Sequence, residues 1–258
     1  MKIINIGLVS VIAILSSCGY KAKNPDVKSK VASDTLKYHY ENLKKRADDC
    51  GNKPDSSCTV ISIKYPVFNN QQILSDTVKH WAVDTNFEVF TKQFLKSYEL
   101  DIAKTKRKVS YTYSSTVSVI RQDSALATLQ LDRYNFTGGA HGSSYTGFLN
   151  WDIKTDKKIL VKDILIDGYL PELTKVADSI FRKQENLTAT SSLANDYFFK
   201  GGKFALNNNV LISPLGLRFL YNQYEIKPYA AGTTDLLVPY SKIKSLIKPH
   251  TVIAQYIK

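Results

Sequence analysis

Histidine and cysteine are scarce in this sequence, and their scarcity argues against several classes of active site. Only four of the 258 residues are histidine and three are cysteine. The histidines are far apart and form no H-x-H or H-x-x-x-H pair of the kind that metal sites use. No G-x-S-x-G nucleophile elbow occurs either. These patterns predict no metal site, no cofactor and no catalytic residue.

Apolar stretches long enough to cross a bilayer are also missing. The stretch from Ile3 to Leu15 is too short, because a spanning helix needs about 20 residues. It follows a positive start and precedes small residues, which is typical of an export signal.

Leu15-Ser16-Ser17-Cys18 resembles a bacterial lipobox, in which the cysteine is acylated and becomes the first residue of the mature chain. We predict a signal peptide at residues 1–17 and lipidation of Cys18, for example by palmitate. The alternative is an ordinary signal peptide that contains a cysteine by chance.

Several acyl chains on Cys18 would anchor the protein stably, since each buried CH₂ group contributes about 0.8 kcal/mol. The expected location is therefore the bacterial cell envelope, with the membrane as a partner through the lipid anchor. No acidic run follows Cys18, which favours a periplasm-facing position. Residues 18–34 are polar and contain lysine, asparagine and proline, so they are predicted to form a flexible tether.

Cys50 and Cys58 remain in the segment after the tether. Export to an oxidising compartment makes a disulfide the default expectation for such a pair. A redox pair and a metal clip are the alternatives. Redox motifs usually have two residues between the cysteines, and no other cysteine or histidine lies close by in sequence. A structural disulfide is therefore the preferred interpretation.

The charge balance is strongly basic, with 35 Lys and Arg against 23 Asp and Glu and a formal net charge of +12. The basic residues are scattered, with modest clusters at Lys44–Arg46 and Lys104–Lys108. No aromatic stacking pattern accompanies them, so they indicate a solvated surface. Because the chain is also predicted to be exported, nucleic acid is not an expected partner.

Strand and helix patterns occur in blocks, which predicts an α+β fold. In the first half, residues 58–68 read as a strand that Pro66 ends. Apolar residues at helical spacing between residues 71 and 102 predict one long helix or two abutting ones. Residues 108–120 and 125–136 alternate strictly and predict an antiparallel hairpin.

The second half repeats this mixture of elements. Residues 144–153 and 159–165 read as strands, and residues 169–186 as a helix entered through Pro171. Short strands with a turn at Asn207–Asn209 are predicted between residues 203 and 222. Residues 236–247 complete the pattern with a strand and a final helix.

The stretch from Asn135 to Tyr145, NFTGGAHGSSY, joins two predicted strands and is the first candidate site. Gly138, Gly139 and Gly142 suit a tight connection, because glycine tolerates positive φ and close approach of the backbone. His141 then caps the turn through a ring N–H to a backbone carbonyl. A ligand-contacting His141 and a catalytic His141 are the alternatives.

A second candidate is the tyrosine-rich segment near the C-terminus. Tyr224 and Tyr229 present an apolar face and a polar tip that suit a binding groove, and Glu225 is a candidate partner for the glycine stretch. Core positions are the alternative for the tyrosines of this segment, which also include Tyr221 and Tyr240. The carboxylates Asp152, Asp163 and Glu225 are candidates for an acid and a base, but a single sequence does not show that they converge.

Several motifs resemble a known extracytoplasmic domain. FTGGAHG, NWD at Asn150–Asp152, VKDIL at Val161–Leu165 and YNQYEIKPYAAG at Tyr221–Gly232 resemble the C-terminal sensory domain of RsiV-like anti-sigma factors, which bind lysozyme. The first half resembles the module that precedes it, which is also found in PdaC-like peptidoglycan deacetylases. The resemblance implies two α+β modules, at residues 35–136 and 137–258.

The resemblance also implies that the chain has the recognition modules of these proteins without their sigma-binding or catalytic parts. The chain has no match to a sigma-binding segment, and it is too short for a separate deacetylase domain. We therefore expect a non-enzymatic lipoprotein that binds a peptidoglycan-related glycan or a lysozyme-like protein. Lysozyme is itself basic, and the repulsion between two positively charged proteins counts against lysozyme as the ligand. The alternatives are an envelope glycan hydrolase or deacetylase that uses His141, and an assembly lipoprotein with another envelope protein as its partner.

Overall fold

A computed structural model describes residues 36–84 and 86–257, and within them the chain forms an α+β fold with two sheets. This confirms the predicted fold class. The six strands of the first sheet lie side by side in chain order: β1 (Tyr38–Arg46), β2 (Val60–Phe68), β3 (Thr112–Gln122), β4 (Leu126–Phe136), β5 (Ser143–Asp152) and β6 (Lys157–Lys158). The second sheet contains β7 (Val210–Ser213), β8 (Gly216–Tyr221) and β9 (Thr234–Pro239). The helices of this part are α1 (Gln72–Val83), α2 (Phe87–Thr105), α3 (Val161–Ile164) and α4 (Leu170–Gln184).

The predicted signal peptide, Cys18 and the predicted tether lie outside the described residues. Among the helices that the structure does describe, none has both the length and the apolar composition needed to cross a membrane.

The first core lies between α1, α2 and one face of the six-stranded sheet. β2 and β3 are parallel neighbours, so the chain must cross over between them, and the two helices form that crossover. Asn86 caps the N-terminus of α2, and its Oδ1 accepts hydrogen bonds from the N–H groups of Glu88 (2.9 Å) and Val89 (3.3 Å). This cap makes the predicted helical region two helices rather than one.

The second core is built around α4 and the three-stranded sheet. Phe181 of α4 is fully buried, and its ring packs within 5.1–5.6 Å of the rings of Tyr197, Phe199 and Phe204. Fully buried leucines from β8 and β9 complete this core, which is formed largely by residues that follow β5.

The disulfide between Cys50 and Cys58 confirms the predicted pairing. The two Cα atoms are 5.4 Å apart, and both side chains are buried. The bridge closes the connection between β1 and β2. Asp49, which precedes Cys50 in this connection, accepts a hydrogen bond from the hydroxyl of Tyr98 at 3.0 Å, and this bond ties the connection to α2.

β1 has no counterpart among the predicted elements. It is an edge strand with mostly exposed or half-buried residues and a charged C-terminal end, so it lacks the apolar alternation that marks the other strands. Its pairing with β2 is what makes it a strand.

β2 continues to Phe68, so the prediction that Pro66 ends this strand is wrong. Pro66 pairs with Tyr40 of β1, whereas the register with β3 stops at Lys64. Proline has no N–H to donate, and it is tolerated where the strand has a neighbour on only one side.

The segment predicted as a strand at residues 159–165 is largely the short helix α3. The carboxylate of Asp163 accepts a hydrogen bond from the N–H of Leu160 at 2.8 Å, which caps the first turn. Local capping therefore overrides the apolar composition of the segment.

The predicted final helix is also wrong. In its place are two single 3₁₀ turns, Tyr240–Lys242 and Lys244–Leu246. The carbonyl of Leu246 accepts a hydrogen bond from the N–H of Ile166 at 2.8 Å. This long-range bond uses a backbone group that a continuing helix would pair within itself.

β7 and β8 form a tight hairpin joined at Pro214-Leu215, so the predicted turn at Asn207–Asn209 lies ahead of both strands. Gly216 opens β8 with a φ of +154°, and a Cβ there would lie 2.2 Å from the carbonyl oxygen of Val238. Only glycine allows β9 to approach this closely.

Asn150 joins the second sheet to β5. Its Nδ2 donates to the carbonyl of Val210, and its Oδ1 accepts from the N–H of Ile212, both at 2.8 Å. The side chain is almost completely buried. One asparagine thus satisfies two backbone groups of β7, because an amide offers a donor and an acceptor together.

Asn209 and Asn222 bind the backbone of β5 in return. Asn209 Oδ1 accepts from the N–H of Phe148 (3.0 Å), and Asn222 Oδ1 accepts from the N–H of Thr146 (2.7 Å). β6 covers only the last two residues of β5, so the remaining edge would otherwise be open. Asparagine side chains therefore replace a neighbouring strand along this edge.

The predicted boundary between residues 136 and 137 lies in the connection between β4 and β5, which pair in one sheet. The first core includes Leu149 and Trp151 of β5. Most residues of the second core come after β5. The boundary between the two hydrophobic cores therefore lies mainly after β5 in the chain, rather than before it.

Asp123 ties the end of the chain to the turn between β3 and β4. Its carboxylate accepts hydrogen bonds from the N–H groups of Ala125 and Leu126 at 3.0 Å and from the hydroxyl of Tyr256. Burial favours the protonated form, but these hydrogen bonds, with one from Gln255, outweigh it and lower the pKa of Asp123.

A lowered folded-state pKa predicts a loss of stability in acid. The contribution of Asp123 is complete above the unfolded pKa of about 3.9 and disappears as the pH falls through the folded-state value. The difference in unfolding free energy between the wild type and Asp123→Asn should therefore be constant near neutral pH and shrink below about pH 4. Urea unfolding at several pH values measures this difference in unfolding free energy. Asp167→Asn, at an exposed carboxylate, is the control. An Asp123→Asn difference that stays the same down to pH 3 contradicts the prediction.

Candidate functional site

The connection between β4 and β5 is a glycine corner, defined here as Gly138–Gly142. Gly138 and Gly139 have φ values of +90° and +99°, which side chains other than glycine rarely adopt. Gly142 is buried, and a Cβ there would lie 2.4 Å from the ring of Tyr134. The three glycines are thus required by backbone conformation at two positions and by close packing at the third.

His141 is exposed at this corner, and both of its ring nitrogens have neighbours. Nδ1 lies 3.0 Å from the carbonyl oxygen of Gly142. Because a carbonyl only accepts, Nδ1 carries the proton, and this is the ring contact that the turn-capping interpretation predicts. Nε2 lies 3.4 Å from the hydroxyl of Tyr224.

Two tyrosines from the C-terminal segment complete an aromatic platform, defined as His141, Tyr224 and Tyr229. The rings of His141 and Tyr229 are stacked, with centroids 3.8 Å apart and planes 14° apart. Tyr224 lies 5.5 Å from Tyr229 and keeps 57% of its surface exposed. Its backbone has a φ of +65°, which is uncommon for a residue with a side chain. The loop therefore holds an unfavourable conformation that leaves a ring facing solvent.

Asn222 and Glu225 hold the loop that presents Tyr224. Asn222 binds both backbone groups of Thr146 in β5, its Nδ2 donating to the carbonyl at 3.0 Å. The carboxylate of Glu225 accepts from the N–H of Asn222 at 2.8 Å and from Nδ2 of Asn207 at 2.7 Å. The two oxygens of Glu225 are thus used by Asn222 of the same loop and by Asn207 ahead of β7, not by the glycine corner. Glu225 therefore supports the platform and is not a part of it.

The platform borders a shallow pocket of about 170 Å³. Enclosed small-molecule sites are usually about 300–1,000 Å³, so a ligand here would lie across the surface. Uncharged polar groups surround the rings, including the amides of Asn135 and Gln223 and the hydroxyls of Ser143 and Ser144. Among the residues that the structure describes, no Lys, Arg, Asp or Glu lines the pocket, although the chain as a whole is strongly basic.

Sequence analysis did not single out these four polar residues. Asn135, Ser143 and Ser144 lie in the same quoted stretch as His141, and Gln223 precedes Tyr224. Their position beside the candidate residues was the available signal. Which of them face the pocket depends on the fold of both loops.

The other candidate residues do not converge on this site. Asp152 accepts from the N–H groups of Lys154 and Thr155 at 2.9 and 3.1 Å and so caps a turn, as Asp163 caps α3. Tyr221 and Tyr240 are buried in the second core, as the core interpretation predicts. Over residues 36–84 and 86–257, no group of three or more His, Cys, Asp or Glu side chains is arranged to hold a metal ion.

A larger groove of about 770 Å³ lies along α2. Its lining mixes three lysines and two glutamates with apolar residues, and it shares no residue with the aromatic platform. The mixed charge does not indicate one class of ligand, whereas the platform combines stacked rings with uncharged polar groups.

Two family models match the chain. Residues 52–144 match the model described as Deacetylase PdaC, and residues 162–241 match the model described as Protein of unknown function (DUF3298). The first match confirms the PdaC-like resemblance of the first half. The RsiV-like sensory role stays a prediction. No curated protein matches the sequence.

Two solved structures are similar over most of their length. One is a member of the DUF3298 family from Bacteroides fragilis NCTC 9343, with 22% identity over 86% of this chain and 97% of that chain and a TM-score of 0.68. The other is a DUF3298 family protein from Pseudomonas aeruginosa PAO1, with 21% identity over 84% and 96% of the two chains and a TM-score of 0.69. At these identities the similarity shows the α+β fold.

Proposed function

We propose that this chain is a lipid-anchored envelope protein that binds a peptidoglycan-related glycan on the aromatic platform without altering it chemically. The observation that carries the proposal is the surface cluster of exposed His141 and Tyr224 with half-buried Tyr229, beside uncharged polar side chains. Aromatic rings offer flat apolar faces to the C–H groups of a sugar, and amides and hydroxyls match its hydroxyl and acetamido groups.

The absence of Lys, Arg, Asp and Glu from the pocket lining selects among ligands. An anionic or cationic ligand would require a side chain of opposite charge, because desolvating an unpaired charge is costly. A neutral polyol requires none. This favours a glycan over a phosphorylated or strongly acidic ligand, although the formal net charge of the chain is +12.

The predicted location supports the same ligand class. The lipobox-like segment ending at Cys18 and the disulfide between Cys50 and Cys58 both fit an extracytoplasmic protein. Peptidoglycan and other envelope glycans are the polymers that such a protein meets, whether it faces the periplasm or the outer surface.

Removing the stacked tyrosine tests the proposal. We expect Tyr229→Ala to weaken the binding of N-acetylglucosamine oligomers about tenfold, because an aromatic contact contributes about 0.5–1.5 kcal/mol beyond its buried area. Calorimetric titration of the full chain in detergent measures this. Tyr40→Ala, at a half-buried tyrosine of β1, is the matched control and should bind like the wild type.

Two other outcomes would contradict the proposal in different ways. If Tyr229→Ala binds as tightly as the wild type, the platform is not the site. If immobilised protein retains lysozyme at moderate salt but binds no glycan, the ligand is a protein of the muramidase class.

The alternative is a glycan deacetylase or hydrolase that uses His141. The match of residues 52–144 to the model named Deacetylase PdaC favours it, since His141 lies within that range. The alternative predicts release of acetate or of new reducing ends from peptidoglycan, lost in His141→Ala with the fold intact. The binding proposal predicts neither product from the wild type.

A further inference from the structure

The outer face of the first sheet continues from the aromatic platform as a surface rich in hydroxyl groups. Register pairs across β3, β4 and β5 place six side chains on one side of the sheet. Alternate residues of the same strands, such as Val117 and Leu131, are buried in the first core and so point the other way. We call this surface the hydroxyl face, and its members are Ser114, Thr116, Asp132, Tyr134, Ser144 and Thr146.

The hydroxyl face and the platform are contiguous. All six members line a groove of about 320 Å³, and Ser144 also lines the platform pocket. Tyr134 packs directly against Gly142 of the glycine corner. Its ring, which remains 37% exposed, therefore stands between the two pockets.

Hydrogen-bonding groups on this face are available to a ligand. Among the residues that the structure describes, the hydroxyls of Ser114, Thr116 and Ser144 have no protein partner. Thr146 differs, since its Oγ1 donates to Asp132 at 2.8 Å. Neighbouring strands lie about 4.8 Å apart, so these groups form a two-dimensional array rather than a single contact point.

The charged groups in the groove already have ion-pair or hydrogen-bond partners within the protein. Arg133 is paired with Asp84 at 2.8 Å and also donates to the carbonyl of Trp81 at 3.0 Å. Asp132 accepts from Gln130 as well as from Thr146. The groove therefore presents rings and hydroxyls without an uncompensated cation for an anionic polymer.

We infer that the platform is one end of an extended groove, and that the hydroxyl face binds further units of a neutral oligosaccharide chain. The inference rests on the proposed function and adds to it the length of the ligand. A disaccharide lies across the platform, and a longer chain continues past Tyr134 onto Ser114 and Thr116.

The test compares N-acetylglucosamine oligomers of one to six units by calorimetric titration of the full chain in detergent. We expect the hexamer to bind at least tenfold more tightly than the dimer. Tyr134→Ala should remove most of that gain and leave dimer affinity unchanged, whereas Tyr229→Ala should weaken both. Tyr134→Phe keeps the ring and is the matched control.

Ser114→Trp provides a second variant, because Tyr134→Ala also removes packing from Gly142. It fills the groove away from the glycine corner and should lower hexamer affinity alone. Equal affinity for the dimer and the hexamer, or unchanged length dependence in both variants, overturns the inference while the platform proposal stands. If no oligomer binds the wild type, both proposals fail for this glycan.

Discussion

Asn150→Asp is expected to destabilise the protein by about 3–5 kcal/mol at neutral pH, which is a large part of the 5–15 kcal/mol typical of a folded domain. The carboxylate still accepts from the N–H of Ile212, but it cannot donate to the carbonyl of Val210. The substitution therefore places an unpaired charge against a carbonyl oxygen in a position that is 3% exposed. The expected result is loss of the contact between β5 and β7.

Two comparisons make this prediction specific. Asn150→Ala removes the same hydrogen bonds without adding a charge, and we expect a smaller loss of about 2–3 kcal/mol. Asn208→Asp makes the same chemical change at an exposed position and should stay within about 0.5 kcal/mol of the wild type. Urea unfolding followed by circular dichroism measures all three. The prediction is wrong if Asn150→Asp is no less stable than Asn208→Asp.

The loss of unfolding free energy caused by Asn150→Asp should also become smaller in acid. A buried aspartate is neutralised at a pH above its usual range, because burial favours the uncharged form. Once protonated, it has a donor to offer to Val210. The difference in unfolding free energy between Asn150→Asp and Asn150→Ala should therefore narrow as the pH is lowered. This pH dependence separates the effect of the charge from the effect of losing the side chain.

Cys18→Ser is expected to move the protein from the membrane fraction to the soluble fraction. The lipobox-like segment predicts that Cys18 carries acyl chains, and the summed burial of their CH₂ groups makes anchoring effectively permanent. Serine has no thiol to acylate. Fractionation after a high-salt wash measures the change, since salt removes proteins held to lipid by positive charge alone.

The disulfide cysteines supply the control for this experiment. The double variant Cys50→Ser and Cys58→Ser makes the same exchange in the folded body, costs about 2–3 kcal/mol of stability, and should stay in the membrane fraction. Mass spectrometry of the mature N-terminus identifies the acyl chains directly. A wild-type protein that is soluble, or a Cys18→Ser variant that stays bound, would show that Cys18 is not the anchor.

Strictly alternating and helical patterns were sufficient for most of the fold. The hairpin β3–β4, the strand β5 and the helix α4 were all predicted, because each buries one face and its apolar residues recur at the matching period. The prediction for residues 159–165 failed because of a local cap, and two others failed where a distant segment supplied the hydrogen bonds. β1 is a strand because β2 pairs with it, and the bond from Ile166 to Leu246 prevents a final helix.

The candidate site was located by sequence only in part. The glycine corner and the segment around Tyr224 were both identified, but their contact depends on Asn222 binding the edge of β5. Sequence did not distinguish Tyr224, which is exposed, and Tyr229, which is half-buried, from Tyr221 and Tyr240, which are buried. Tyrosine suits both environments, so its identity does not decide between them.

The amino-acid sequence by itself determined the fold class, the disulfide and the positions where glycine is required, since these follow from local periodicity, cysteine pairing and backbone sterics. Only the tertiary structure decided that His141 stacks on Tyr229, that Glu225 supports a loop, and that a row of hydroxyls continues from the platform. Each of these depends on contacts between residues far apart in the chain. Such contacts are set by how the two cores and the asparagine-bound edge of β5 pack, which no short stretch of sequence specifies.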